Sequence, residues 1–184
     1  NDKEDPENIG SALLPSLGNL RNDIGAYGGP NAELLPDFEY ILQNLLNQPE
    51  SAAFDSTHNR YLVSNYGDGI IVQINSYGTQ DYFIQGLGKC LGNHIKGNTL
   101  DVSVKEYSVV TGGVGVLGIN LTTAQIEFSV AITSATTLDG IASDTSGYIY
   151  VIETSGKIFK ITISSQNYSL FVGSGLAALP QDCI

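Results

Sequence analysis

Residues 49–87, PESAAFDSTHNRYLVSNYGDGIIVQINSYGTQDYFIQGL, decide the fold, because residues 138–176, LDGIASDTSGYIYVIETSGKIFKITISSQNYSLFVGSGL, repeat them with only short gaps. Both copies run through a short strand of small residues, an Asp-led turn, two β-rich strands around a Gly turn, and an aromatic strand that ends in Gly-Leu. Neither copy has a helical period. Each copy therefore predicts a small four-stranded antiparallel meander.

A weaker copy lies between these two. It starts at Cys90 and continues through the β-rich stretches 100–104, 116–119 and 125–130. A fourth copy opens at Pro180 and runs to the end of the sequence. Starts near Pro49, Leu91, Leu138 and Pro180 are spaced by about 42 to 47 residues, which is the length of one four-stranded propeller blade. One blade cannot bury both of its faces, so such repeats pack against one another.

The sequence therefore predicts an all-β fold, a partial β-propeller of about three four-stranded antiparallel blades plus an opening strand. An irregular segment, residues 1–36, precedes the partial propeller of residues 37–184. The predicted blades cover about 49–88, 90–132 and 138–176, with the start of another at 180. Phe38, Tyr40 and Leu42 alternate as in a half-buried strand, and an amphipathic helix through Leu46 is the alternative.

Charge and composition limit which classes of molecule the chain can bind. The chain has 8 Lys and Arg against 19 Asp and Glu, a formal net charge of −11, so a nucleic acid backbone would be repelled. The negative field can concentrate cations such as Ca²⁺, or it can simply keep the surface soluble. No apolar run is long enough to span a bilayer. A hydrophobic share of 42% with 15% charged residues indicates a folded chain.

The segment before the repeats carries a first resemblance. Residues 15–30, PSLGNLRNDIGAYGGP, resemble the end of parallel β-helix domains in large bacterial surface and secreted proteins. The resemblance implies that residues 1–30 are the tail of a preceding β-helix domain in a longer polypeptide, secreted or at the cell surface. An ordinary Gly-rich surface loop is the alternative interpretation.

The third copy carries a second resemblance. Leu138–Asp144 followed by Gly147–Val151 resembles the blade signature of the regucalcin/gluconolactonase family and its NHL-repeat relatives, and Pro49–Ser51 matches the start of that family's first inner strand. The resemblance implies a six-bladed propeller with Ca²⁺ or another divalent cation at the mouth of its central channel. The family then implies metal ligands at Glu50, Asn93 and Asp139, with Gln181 in the equivalent position of the last copy and Asp182 beside it, both lining the channel. His94 is a candidate for a channel-lining acid or base, and a hydrogen-bonded histidine of an inner strand is the alternative. The alternative is that these polar residues satisfy backbone groups at strand ends.

No catalytic or cofactor-binding residues are predicted, because no nucleophile elbow, GxGxxG or Walker pattern occurs. His58 is expected to be a solvated turn residue, and Cys90 and Cys183 are expected to be two buried thiols.

The leading hypothesis is an extracellular, non-catalytic propeller module that scaffolds or binds a protein or a glycan. A metal-dependent lactonase-like hydrolase and a structural subunit that self-associates through exposed blade faces are the alternatives.

Overall fold

A computed structural model describes residues 44–173 of the chain, and these residues form strands, turns and two short 3-10 turns. The strands are rich in apolar, β-branched and aromatic residues, which favour extended backbone. The strands within this range are β1 Pro49–Asp55, β2 Arg60–Asn65, β3 Ile71–Asn75, β4 Gln80–Ile84, β5 Lys89–Lys96, β6 Thr99–Lys105, β7 Gly115–Asn120, β8 Ile126–Ala131, β9 Leu138–Ser143, β10 Tyr148–Glu153, β11 Lys157–Thr162 and β12 Asn167–Val172.

The strands form three four-stranded antiparallel sheets, each a meander in which sequential strands are neighbours: sheet 1 is β1–β4, sheet 2 is β5–β8 and sheet 3 is β9–β12. Polar side chains close the hairpins. Asp144 Oδ1 accepts hydrogen bonds from the backbone N–H groups of Ser146 and Tyr148, and Asn75 Oδ1 accepts from those of Tyr77 and Thr79. Asx turns of this kind satisfy backbone donors locally, so short connections suffice.

The sheets stack so that their first strands lie side by side. β5 of sheet 2 contacts both β1 of sheet 1 and β9 of sheet 3. Apolar side chains fill the space between sheets 1 and 2 and, as a separate cluster, between sheets 2 and 3. The first cluster includes Leu62, Ile71, Leu100, Val102 and Leu117, and the second includes Val116, Val130, Ile149, Val151 and Ile161. Burial of these side chains on both faces of sheet 2 is the main source of stability.

For residues 44–173, the prediction of an all-β fold with three four-stranded antiparallel sheets is confirmed. The weak middle copy forms β5–β8, with strands at the stretches that the sequence singled out. Cys90 is a buried free thiol, and burial raises its pKa to about 12. The strand proposed around Tyr40, the fourth copy from Pro180, Cys183 and the segment 1–36 lie outside the described residues.

Candidate functional site

The first strand of each sheet carries a β-bulge at the same place near its start. Glu50 is the extra residue in β1, Leu91 and Gly92 together face Ser103 in sheet 2, and Asp139 with Gly140 forms the bulge in sheet 3. Bulges bend a strand, re-aim its side chains and occur often beside active sites. Two residues that the sequence proposed as metal ligands, Glu50 and Asp139, therefore occupy equivalent bulges.

These bulges contact their neighbours along a row. The Ser51 hydroxyl, next to the bulge of β1, donates to Asn93 Oδ1 at 3.2 Å. A Cβ on Gly92 would overlap the carbonyl oxygen of Asp139, so β5 and β9 approach backbone to backbone. The Ser103 hydroxyl lies within 2.8 Å of that same Asp139 oxygen and donates to it. The stacked sheets thus bring the three proposed ligand positions into one row.

Asn93 lies at the centre of the row and has a structural role that the sequence did not predict. Its side chain is 9% exposed. The amide nitrogen donates to the carbonyl oxygens of Ser51 and Leu62, at 3.2 and 3.1 Å, and to Ser64 Oγ at 2.9 Å. Each acceptor belongs to sheet 1, whereas Asn93 belongs to sheet 2. The amide therefore joins two sheets at a site where buried polar groups must be paired.

The proposed metal set is only partly assembled. Glu50 is exposed and Asp139 is half-buried. Within residues 44–173, no group of three or more His, Cys, Asp and Glu side chains is close enough together to hold a metal ion. Gln181 and Asp182 lie outside the described residues. The assignment of Glu50, Asn93 and Asp139 to a divalent cation stays a prediction.

His94 bridges sheets 2 and 3. Its Nε2 lies 3.0 Å from the hydroxyl of Ser143 in β9. Burial lowers the pKa of His94, and the nearby charge of Lys96 lowers it further. The neutral imidazole is therefore favoured at neutral pH. The role of His94 as a channel-lining residue stays a prediction.

His58 is an exposed turn residue, as the sequence predicted, and it also contacts a carboxylate. Its Nδ1 lies 2.7 Å from Oδ2 of the buried Asp55 carboxylate, and its backbone N–H donates to Oδ1 of the same residue. Burial raises the pKa of Asp55, but hydrogen bonds from His58 and Arg60 outweigh it and hold the pKa below its usual value. His58 therefore helps to keep a buried carboxylate ionised at the end of β1.

A cleft of about 550 Å³ opens between sheets 2 and 3. Asp101 in β6 lies in its wall, is 2% exposed, and has no hydrogen-bond partner for Oδ1 within the described part of the chain. Burial raises the pKa of Asp101 to about 7, although the charge of Lys96 opposes the rise. The walls of the cleft are formed by Lys96, Thr99, Asp101, Glu127, Phe128, Gly147, Ile163 and Gln166.

The sequence reasoning missed this cleft. The available signal was a charged residue inside the apolar stretch of residues 100–104, at a strand position whose cross-strand neighbour is His94. Burying a carboxyl oxygen without a hydrogen-bond partner costs free energy of folding. Asp101 therefore indicates a candidate functional site in addition to a strand position.

Comparisons with known proteins leave the family open. No protein-family model matches the chain, and no curated protein is significantly similar to it. The resemblance of the third copy to the regucalcin/gluconolactonase family therefore stays a prediction. Among residues 44–173, no helix has the length and apolar character needed to cross a bilayer.

Proposed function

We propose that residues 49–172 are three successive blades of a β-propeller that serves as a non-catalytic interaction module of a secreted or cell-surface protein. The observation that carries the proposal is the stacking of three antiparallel meanders with β5 between β1 and β9. Blades of a propeller have this strand order and this contact between first strands. The repeat length of about 42 to 47 residues agrees with it.

The outer faces of the stack supply the contact surface. Phe54 and Tyr61 project from the face of sheet 1 that points away from sheet 2, and they are 49% and 51% exposed, with ring centroids 5.0 Å apart. Tyr150 and Phe171 form a similar pair on the outer face of sheet 3, with centroids 4.9 Å apart. Exposed aromatic groups on a rigid sheet are typical of protein interfaces.

A cation completes the outer face of sheet 3. Lys160 in β11 places its Nζ 3.4 Å from the ring centroid of Tyr148 and 5.9 Å from that of Tyr150. On β12, Phe171 and Val172 are both about half exposed. This mixture of aromatic, aliphatic and cationic groups favours a protein partner, because a glycan needs aromatic stacking with mostly polar neighbours.

The test places a photo-crosslinking phenylalanine analogue at position 171 of the full chain and adds secreted proteins from the source culture. A Tyr150→Ser variant of the crosslinking protein is compared with a Tyr77→Ser variant, since Tyr77 is 87% exposed in the β3–β4 turn and lies on no sheet face. We expect one saturable protein adduct that survives Tyr77→Ser and is lost with Tyr150→Ser. Equal labelling of both variants would contradict the proposal.

Two further measurements separate the alternatives. Sedimentation velocity of the wild type shows whether the partner is a second copy of this chain, and a glycan array shows whether the face binds sugars instead. Turnover of a sugar lactone by the wild type with Ca²⁺, Zn²⁺ or Mn²⁺, lost in Glu50→Ala, would replace the non-catalytic module with the lactonase-like hydrolase.

A further inference from the structure

The space between sheets 1 and 2 is filled at one end by an internal guanidinium group. Arg60 Nε lies 3.0 Å from Asp55 Oδ2, and Nη1 donates to Gln73 Oε1 at 2.7 Å. Nη2 donates to the carbonyl oxygen of Leu121, in the turn directly after β7 of sheet 2. The guanidinium carbon lies 4.7 Å from the ring centroid of Phe83. Carboxylate, amide, carbonyl and aromatic ring together surround the cation on a face between two sheets.

The equivalent space between sheets 2 and 3 can be identified from the register. Ser64 in β2 and Ser103 in β6 are both fully buried serines that reach a neighbouring sheet, the first towards Asn93 and the second towards Asp139. They therefore occupy the same position in successive sheets. Ser64 pairs with Ser51, next to the bulge of β1, and Ser103 lies opposite the bulge of β5.

Counting from these serines assigns the other positions on the same face. The strand pairings then place Thr99 at the position of Arg60, Asp101 at that of Leu62 and Gly118 at that of Gln73. Arg60 and Gln73 fill the space between sheets 1 and 2 with long side chains. Their equivalents between sheets 2 and 3 are Thr99, whose side chain is short, and Gly118, which has none. A carboxyl group replaces an apolar core side chain.

Because these side chains are short, the cleft of about 550 Å³ is left open between sheets 2 and 3. A side chain at Gly118 would overlap the ring of Phe128, so that ring lies directly over the glycine and forms the aromatic wall. Glu127 lies at the same wall, where its Oε1 accepts from Asn120 Nδ2 at 2.8 Å. Asp101, with no hydrogen-bond partner for Oδ1 in the described range, supplies a second carboxyl group.

Lys96 is the cation already present at the cleft. It occupies the register position of Asp55, and its Nζ donates to the carbonyl oxygen of Asp144, directly after β9 of sheet 3. Its charge is therefore directed at that carbonyl oxygen, and it forms no ion pair with Asp101 or Glu127 among the described residues. A cation placed beside Asp101 would favour the ionised form of its carboxyl group, and the walls would then carry two carboxylates against one ammonium group.

We propose that the cleft between sheets 2 and 3 binds a ligand that carries a guanidinium group, with the carboxyl groups of Asp101 and Glu127 as its counter-charges and Phe128 as its stacking surface. The ligand takes the place that Arg60 fills between sheets 1 and 2. This site is separate from the aromatic outer faces, and it does not depend on the proposed interaction with a partner protein.

Isothermal titration of the full chain with agmatine tests the proposal. N-carbamoylputrescine, which replaces the guanidinium by a neutral urea of the same shape, is the matched control ligand. We expect one agmatine site, no heat from the urea, and at least a roughly 10-fold weaker affinity in Asp101→Asn, because a charge-assisted bond is lost. Asp101→Leu copies Leu62 and supplies a second variant if Asp101→Asn does not fold. Equal binding of both ligands, or unchanged affinity in a folded Asp101 variant, would overturn the proposal.

A second variant fills the cleft from within. Thr99→Arg places a guanidinium group at the register position of Arg60, so we expect it to abolish agmatine binding while the protein stays folded by circular dichroism. Thr122→Arg in the exposed β7–β8 turn is the control and should bind agmatine like the wild type. A blocked Gly-Arg-Gly peptide distinguishes a free small molecule from an arginine side chain, since tighter binding of the peptide identifies a protein ligand. Absence of agmatine binding by the folded wild type rejects the site, whatever the result of the crosslinking test.

Discussion

The side-chain amide of Asn93 donates a hydrogen bond to the hydroxyl of Ser64 at 2.9 Å, across the boundary between sheets 2 and 1. The same nitrogen reaches two carbonyl oxygens of sheet 1, and Oδ1 accepts from the Ser51 hydroxyl. One side chain therefore holds the first strands of neighbouring sheets at a fixed offset. These hydrogen bonds are shielded from water, so losing any of them lowers the free energy of unfolding.

Replacing Asn93 should destabilise the stacked sheets. In Asn93→Ala the acceptors in sheet 1 lose their buried donor, so we expect the free energy of unfolding to fall by about 2 to 4 kcal/mol. Urea denaturation followed by circular dichroism measures the change. Asn167→Ala, at an exposed position in β12, should stay within about 0.5 kcal/mol of the wild type. Equal effects of the two substitutions would show that Asn93 does not link the sheets.

A second prediction concerns the close approach of β5 to β9. Gly92→Ala would place a methyl group against the backbone oxygen of Asp139, which cannot move without displacing sheet 3. We expect a loss of about 3 kcal/mol, or a failure to fold. Gly97→Ala is the control, because Gly97 has open space around it and a φ of +59°. Its cost should be limited to the left-handed backbone, about 1 kcal/mol. Comparable thermal unfolding midpoints for the two variants would argue against the contact.

Arg60 should stabilise the boundary between sheets 1 and 2 through a buried partner. Asp55 is 1% exposed, so Arg60→Ala removes one of the two side chains that hydrogen-bond its buried carboxylate, leaving His58, and also removes the bond to Leu121. We expect a destabilisation of about 2 to 4 kcal/mol. Lys89→Ala breaks an ion pair with Glu106 in which both side chains are partly exposed, and it should cost less than about 1 kcal/mol. Urea denaturation of both variants gives the comparison.

The stability of the protein should depend on pH through Asp101. Its pKa is raised from 3.8 to about 7, so the folded state keeps a proton that the unfolded chain releases between these values. The unfolded state then binds fewer protons, and stability falls as pH rises from about 4 to about 8. Relative to Asp101→Asn, the wild type should lose up to roughly 4 kcal/mol over this range.

Neighbouring groups define the control for this titration. His94 and Lys96 from β5, Glu127 from β8 and Asp144 after β9 also carry or change charge near the cleft. They are common to both proteins, so their effects cancel in the difference between the wild type and Asp101→Asn. If the difference in free energy of unfolding between the wild type and Asp101→Asn does not change with pH, Asp101 is ionised in the folded protein throughout the range.

Much of the fold could be predicted from local patterns. The runs of aromatic, aliphatic and β-branched residues within 60–65 and 148–153 indicate β-strands, and the Asp-led and Gly turns indicate the hairpins that follow or precede them. Even the weakly matched middle copy forms the predicted strands. Each of these features depends on neighbours within about ten residues, where period and turn chemistry are sufficient.

The candidate site was predicted less well. The resemblance marked Glu50 and Asp139, and both occupy equivalent bulges, but nothing in the sequence showed that Asn93 is saturated by hydrogen bonds to sheet 1. Asp101 was missed, because its significance depends on which face of β6 meets sheet 3. A shift of one residue in register would have turned it towards sheet 1.

The sequence by itself determined the all-β class, the repeat and the order of strands, since side-chain alternation and turn residues act over short distances. Only the tertiary structure decided that Arg60 fills one boundary between sheets while Thr99 and Gly118 leave the next one open. That difference arises from the pairing of strands and the stacking of sheets, which join residues far apart in the chain. The burial of Asp101, and with it the chemistry of the cleft, follows from that packing.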